Sequence, residues 1–341
     1  MKNTFLIITS IADDKHPVLN QFAKESLANN VSFIVIGDTK SPEKFSLTDC
    51  DYYSIERQKE LKYKLQNELP YKHYARKNLG YLIAINSGAE VIIETDDDNL
   101  PLTSFWKVRN REVKTHLVVN KGWVNVYNHF SKANIWPRGF ALEHVKDEFP
   151  KLEKKTKVLC PIQQGLADEN PDVDAIYRFT QPLPITFKKA ANISLGKNAF
   201  CPFNSQNTTW FQEAFLLLYL PSYCSFRMTD IWRSYIAQRI AWTCGWSILF
   251  HKSTVWQDRN DHNLLTDFKD EISGYISAEL IYNSLKNLDL KNGVENIPNN
   301  MKICYQKLVD LDLIGNSEIH LLNCWIADVC FLNHKSARAD I

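Results

Sequence analysis

The chain has 341 residues, enough for one large catalytic domain with an appendage or for two ordinary domains. Forty Lys+Arg against 39 Asp+Glu leave a formal net charge of +1, so no whole-molecule field steers it onto nucleic acid, and that class of partner is excluded. Eight cysteines with no Cys-x-x-Cys pair read as reduced structural residues, and no apolar run reaches the ~20 residues of a membrane span, so a soluble cytoplasmic protein is expected.

The first hundred residues alternate strand and helix patterns, as a parallel α/β sheet requires. Residues 4–11 are a continuous β-rich run, too short for a signal segment and ending at Asp13-Asp14. Pro17 to Asn29 has helical spacing, and Val31 to Gly37 is a second buried run that ends at Asp38. Glu56 to Leu69 reads as a charged amphipathic helix, and His73 to Ser87 as another that Gly88 terminates. Val91-Ile92-Ile93 then enters the sheet. Ligands of open α/β sheets lie beyond the carboxyl ends of the strands, so Thr9, Ser10, Asp38 and Asp96 to Asp98 are expected at one rim.

After Pro101 the pattern loosens into aromatic strand and loop segments up to about residue 209, the half expected to shape the second-substrate side. Trp210 to Leu220 and Thr229 to Gly245 look helical, the latter opening at Thr229 or Asp230 as a cap. From about Ser277 the spacing is helical again. The expected division is a catalytic domain over residues 1–275, made of a nucleotide-binding half 1–100 and an acceptor half 101–275, followed by a helical appendage over 276–341.

The acidic run Glu94-Thr-Asp-Asp-Asp-Asn99 carries the chemistry. Asp96 and Asp98 are two apart, so in extended backbone they point to one side and can share a hard divalent cation, Mn or Mg, whose other positions phosphates fill. Three consecutive aspartates repel one another without a cation, which favours a site of the DXD type over a solvated acidic turn. Asp97 points to the other side or contacts a sugar. Arg76 and Lys77 lie on the preceding helix, where they can meet phosphate or instead form an exposed helix face.

The run from Arg76 to Asn99 resembles the STELLO-type glycosyltransferases. Further matches to that family are Trp136-Pro-Arg-Gly-Phe140, Gln163-Gln-Gly165 with Pro171-Asp-Val-Asp174, Pro202 to Thr208, and Asp230 to Arg239, together spanning roughly residues 5 to 270. More distantly the pattern is similar to the reversibly glycosylated polypeptides, which are nucleotide-sugar mutases. The resemblance implies a GT-A fold, that is, a Rossmann-like α/β domain with a mixed, mainly parallel sheet, together with a nucleotide-sugar donor and a Mn or Mg ion. The plant members carry an N-terminal Golgi anchor, whereas this chain opens on the first strand, so a cytoplasmic enzyme of surface polysaccharide or glycolipid assembly is expected, with peripheral membrane association left open.

An inverting transfer requires a carboxylate to take the acceptor proton, and Asp230 at a helix start is the candidate, although capping alone also explains it. Arg233 on the same helix can bind donor phosphate. His262 is the candidate to close the metal shell, with His251 as its alternative. Asp172, Asp174, Asn204 and Gln206 are candidates for reading the sugar or acceptor, or for making caps and turns. The expected activity is glycosyl transfer from a nucleotide sugar to a carbohydrate or lipid-linked acceptor. A nucleotide-sugar mutase and a non-catalytic GT-A scaffold are the alternatives.

Overall fold

A computed structural model describes residues 3–258 and 263–339. Thr4–Thr9 form β1, with apolar side chains buried on both faces, as a central parallel strand requires. Pro17 occupies the first turn of α1 (Pro17–Ala28), which leads to β2 (Ser32–Ile36). β3 (Asp51–Tyr53), α2 (Ile55–Lys59), α3 (Lys77–Asn86) and β4 (Val91–Thr95) follow. Gly80 lets α3 approach the sheet closely, because a Cβ there would lie 2.6 Å from the Ile7 Cγ2 atom.

The middle of the chain supplies β5 (Asn99–Pro101), β6 (Glu112–Val118), β7 (Gly122–Trp123), α4 (Tyr127–Phe130), β8 (Thr156–Leu159), β9 (Ile162–Asp168), α5 (Ala175–Thr180), β10 (Ile193–Leu195), β11 (Ala199–Phe200) and β12 (Asn207–Phe211). Then come α6 (Thr229–Thr243), β13 (Ile248–Gln257), α7 (Leu264–Lys286), α8 (Ile297–Asp310) and α9 (Glu318–Ala339). The large sheet runs β3-β2-β1-β4-β12-β9-β13-β10-β6-β8, with β5 on β13. Its β3-β2-β1-β4 half is parallel, and β12 enters antiparallel between β4 and β9.

Register fixes the rim. Thr9 pairs with Ile36 and Asn207 with Thr95, while Trp256 pairs with Asp168 and Gln257 with Asn99. The ends of β1, β2, β4, β9 and β13 and the start of β12 therefore open on one edge. This is the α/β, GT-A-like architecture that the resemblance implies, with its helices packed on the sheet.

Two local expectations change. The helix expected over Glu56 to Leu69 is broken into α2 and a single turn at Leu65–Asn67, because the backbone N–H groups of Lys64 and Leu65 donate to the Asp328 carboxylate on α9 instead of continuing a helix. The helix expected over Trp210 to Leu220 begins as strand: Thr208-Thr209-Trp210-Phe211 suits a pleated surface, and the Trp210 indole donates to Glu94 on the neighbouring strand. Gln212–Leu218 is a 3-10 segment. The division at residue 275 falls inside α7, and the tail shares the main core, where Trp325 meets the rings of Tyr81 and Tyr219. Among the described residues no helix is long and apolar enough to cross a membrane.

Candidate active site

The rim gathers side chains from three strand ends. After β1, the Ser10 hydroxyl donates to Asp97 Oδ2 at 2.5 Å. After β2, Asp38 accepts from the backbone N–H of Thr39 at 2.6 Å and from that of His73 at 3.0 Å, which ties the α3 entry to the sheet. After β4, Asp96 Oδ1 accepts from Lys77 Nζ at 2.9 Å, and the same ammonium donates to the Thr95 carbonyl. Lys77 is completely buried, while the Asp96 side chain is 38% exposed and, among the described residues, its second oxygen has no hydrogen-bond partner. Asp98 accepts from the amides of Gln257 (2.8 Å) and Asn99 (3.0 Å). Burial, followed by the neighbouring Asp96 and Asp97, pushes the Asp98 carboxyl up to about 7.

Two adjoining cavities open here. One of about 290 Å³ is walled by Tyr74, His73 and Phe226, with Thr9, Asp38 and Arg76 also on its lining. The imidazole stacks on Tyr74 with centroids 5.6 Å apart, and Phe226 meets both rings edge-on. His73 Nδ1 accepts from the Ala75 N–H, which leaves the proton on Nε2, and burial lowers the ring's pKa to about 4. The other cavity, about 470 Å³, contains Asp96, Asp97 and Asp98 on one side and Arg138, Asp172, Gln206 and Asp230 on the other. Thr9, Tyr74, Asp97 and Phe226 belong to both.

Arg138 organises the far wall. Its guanidinium is bidentate to Asp172 at 2.8 Å, contacts both Asp230 oxygens at 3.1 Å, and donates to the Arg227 carbonyl. Gly139 makes the turn possible: its φ is +78°, and a Cβ would lie 2.3 Å from the Ile231 Cγ2 atom. Asp230 also accepts from the Ser205 N–H at 3.0 Å and the Tyr74 hydroxyl at 3.3 Å. Burial opposes its charge, but the Arg138 cation and these donors prevail and hold the carboxyl well below the usual carboxylate range.

Thr9, Ser10, Asp38, Asp96, Asp97, Asp98, Asp172, Gln206 and Asp230 thus meet around the two cavities. Other expected residues sit elsewhere. Arg233 is buried beneath the site and bidentate to Glu94 at 2.7 and 2.9 Å, because Glu94 faces inward from β4 and must be neutralised there. It lines neither cavity. Lys77 is likewise a buried partner of Asp96 and not a free cation. Arg76 reaches the edge of the smaller cavity, but its donors go to Gln58 Oε1 and the Leu69 carbonyl. Asp174 caps α5, accepting from the Tyr177 N–H and the Trp136 indole, and burial raises it to about 6. Asn204 lies behind Asp172, which it contacts at 2.9 Å.

His262 lies outside the described residues. His251 is buried with Nδ1 2.9 Å from the Lys252 carbonyl, and lines neither cavity. Among the described residues no group of three or more His, Cys, Asp or Glu side chains is arranged to hold a metal. Sequence reasoning did not assign Arg138, Tyr74 or Phe226. The turn-forming Gly139 beside Arg138 was the available signal for the first.

Residues 227–338 match the family described as STELLO glycosyltransferases. Over 267 residues the chain is 31% identical to "Probable glycosyltransferase STELLO2" of Arabidopsis thaliana, covering 70% of this chain and 34% of that protein. The chain belongs to the STELLO-type glycosyltransferase family. "Probable glycosyltransferase STELLO1" of the same plant is also 31% identical, over 244 residues, covering 65% of this chain and 32% of that protein. The chain therefore spans about a third of the length of these curated STELLO relatives.

Proposed function

We propose that the chain transfers a glycosyl group from a nucleoside diphosphate sugar to a carbohydrate or lipid-linked acceptor. The observation that carries this reading is the pair of adjoining cavities joined at Asp97: an aromatic one sized for a nucleoside and a polar one lined by Asp96 to Asp98 opposite Arg138. Tyr74 and Phe226 offer ring surface to a base. Asp38 and Thr9 lie where ribose hydroxyls would follow. The diphosphate would run past the acidic cluster, with the sugar reaching Gln206, Asp172 and Asp230.

A Mn or Mg ion suits this donor set. The ligands are carboxylate oxygens, among the described residues the second Asp96 oxygen has no partner, and burial followed by the repulsion of Asp96 and Asp97 pushes Asp98 up to about 7, a burden that a hard cation relieves. Asp96 and Asp98 would hold it, with the remaining positions left to phosphate and water, and it would supply charge stabilisation to the departing diphosphate. Tyr74 and Phe226 shield the neighbouring cavity, and Arg138 holds Asp172 and Asp230 facing the sugar. Asp230 is assigned as the base that receives the acceptor proton. Its low pKa keeps it in the accepting form at every working pH, at the cost of weak basicity.

The experiment is a panel of nucleoside diphosphate sugars incubated with the protein and Mn, with and without oligosaccharide or lipid-linked acceptors, following release of nucleoside diphosphate. Acceptor-stimulated release supports transfer. Isomerised donor in the absence of acceptor would point to a mutase instead, and an inert panel would leave the scaffold reading.

A further inference from the structure

At the other end of β4, away from the acidic cluster, a cleft of about 480 Å³ lies between the strand and residues 107–111. Half-buried Arg109 lines it, and its partners differ from those of the other buried and half-buried arginines. Arg138, Arg227 and Arg233 each face carboxylates, while Arg76 and Arg239 give their donors to amide or backbone carbonyl oxygens. Arg109 donates through Nε to Thr209 Oγ1 at 3.1 Å, and among the described residues its two Nη groups have no protein acceptor and no ion-pair partner. Burial alone lowers its pKa, to about 10. Four N–H donors without a protein acceptor, on a half-buried guanidinium that faces a cleft, are available to an anion.

The surroundings hold that guanidinium in place. Thr209 is fixed in β12 opposite Ile93, and the Asn110 carbonyl accepts from the Gln163 amide at 2.8 Å, which anchors the segment carrying Arg109. Lys107 is exposed on the same cleft. Arg111 is already engaged by Glu213 at 3.2 Å. We propose that this cleft is an anion site of the phosphate class, with the Arg109 Nη pair gripping two oxygens and Lys107 supplying a second positive charge. Glu90 also lines the cleft, where its Oε1 accepts from the Asn3 amide at 3.2 Å; Arg109 and Lys107 outnumber it, and the planar Nη fork matches paired phosphate oxygens. Arg109 meets the sheet at Thr209, opposite Ile93 and so roughly 10 Å along β4 from Asp96, and it lines neither cavity of the rim, so the two sites are separate. The inference does not depend on the proposed transfer activity.

The test is calorimetric titration of the full chain in EDTA, so that metal-bridged binding at the acidic cluster is absent. Inorganic phosphate, pyrophosphate and glucose 1-phosphate form separate arms, and the tightest arm tells whether the source is a free anion or a phosphate carried on a sugar. Arg109→Gln should weaken the tightest arm by at least about tenfold, as loss of a charge-assisted contact implies, with Arg109→Lys intermediate. Lys107→Gln, at an exposed position that leaves packing intact, should weaken it several-fold. Wild-type protein that binds none of the three up to about 10 mM, or Gln variants that both bind like wild type, would overturn the site.

Discussion

Arg138 and Asp230 form a buried ion pair, with Nη1 and Nη2 each 3.1 Å from an Asp230 oxygen, while the same guanidinium holds Asp172. Removing the cation leaves two carboxylates without their counter-charge. Arg138→Gln should therefore destabilise the fold by roughly 3–5 kcal/mol in urea unfolding, and activity should fall beyond what the loss of folded protein explains. A change below 1 kcal/mol would show that solvent replaces the arginine freely.

Arg233 and Glu94 are a second buried pair, under the site and not in it. Glu94→Gln alone should cost roughly 3–5 kcal/mol, whereas pairing Glu94→Gln with Arg233→Met should recover part of that loss, because no charge is then left alone and the amide oxygen still accepts from the Trp210 indole. Donor KM in the double variant should stay near the wild-type value. A large rise in KM would restore Arg233 to donor binding.

Phe226 is half-exposed at the mouth of the smaller cavity, edge-on to Tyr74. Truncation removes ring surface offered to the base and little core packing. Phe226→Ala should weaken nucleotide binding by roughly 1–3 kcal/mol, measured as the dissociation constant of the nucleoside diphosphate, with the melting temperature nearly unchanged. Unaltered affinity would move the base out of this cavity.

His73 adds a pH signature. Its folded pKa is depressed to about 4 by burial, against an unfolded value near 6.5, so the neutral ring is the folded form. Protons then favour the unfolded chain: this contribution costs nothing above about pH 7, and stability declines as pH falls from about 6.5 to 4. His73→Gln should flatten that part of the stability profile in urea titrations between pH 4 and 7.5. The Asp38 carboxylate beside it opposes the shift.

Much of the donor half was legible in the sequence because parallel strands announce themselves as continuous apolar runs and their carboxyl ends share a rim. Thr9, Asp38 and Asp96 could be placed together from that rule alone. What composition and spacing could not show was which charges face inward. Glu94 and Lys77 read as part of an exposed acidic cluster and a basic helix face, yet both are buried, and Arg233 and Asp96 respectively are committed to them. Arg138 was hidden for a different reason: it reaches Asp172 and Asp230 across 34 and 92 residues, and no local pattern encodes a contact of that span. Trp210 misled because an aromatic, apolar run fits a helix or a buried strand equally well, and the Glu94 acceptor that decides it lies on another strand.

The central claim is that Asp96 to Asp98 mark a metal-assisted nucleoside diphosphate site. Calorimetric titration of the protein with a panel of nucleoside diphosphates, in Mn and then in EDTA, tests it most directly. The account predicts that at least one member binds in Mn, that EDTA weakens it by about tenfold or more, and that Asp98→Asn does the same. A panel in which nothing binds, or binding indifferent to both EDTA and Asp98→Asn, would contradict it.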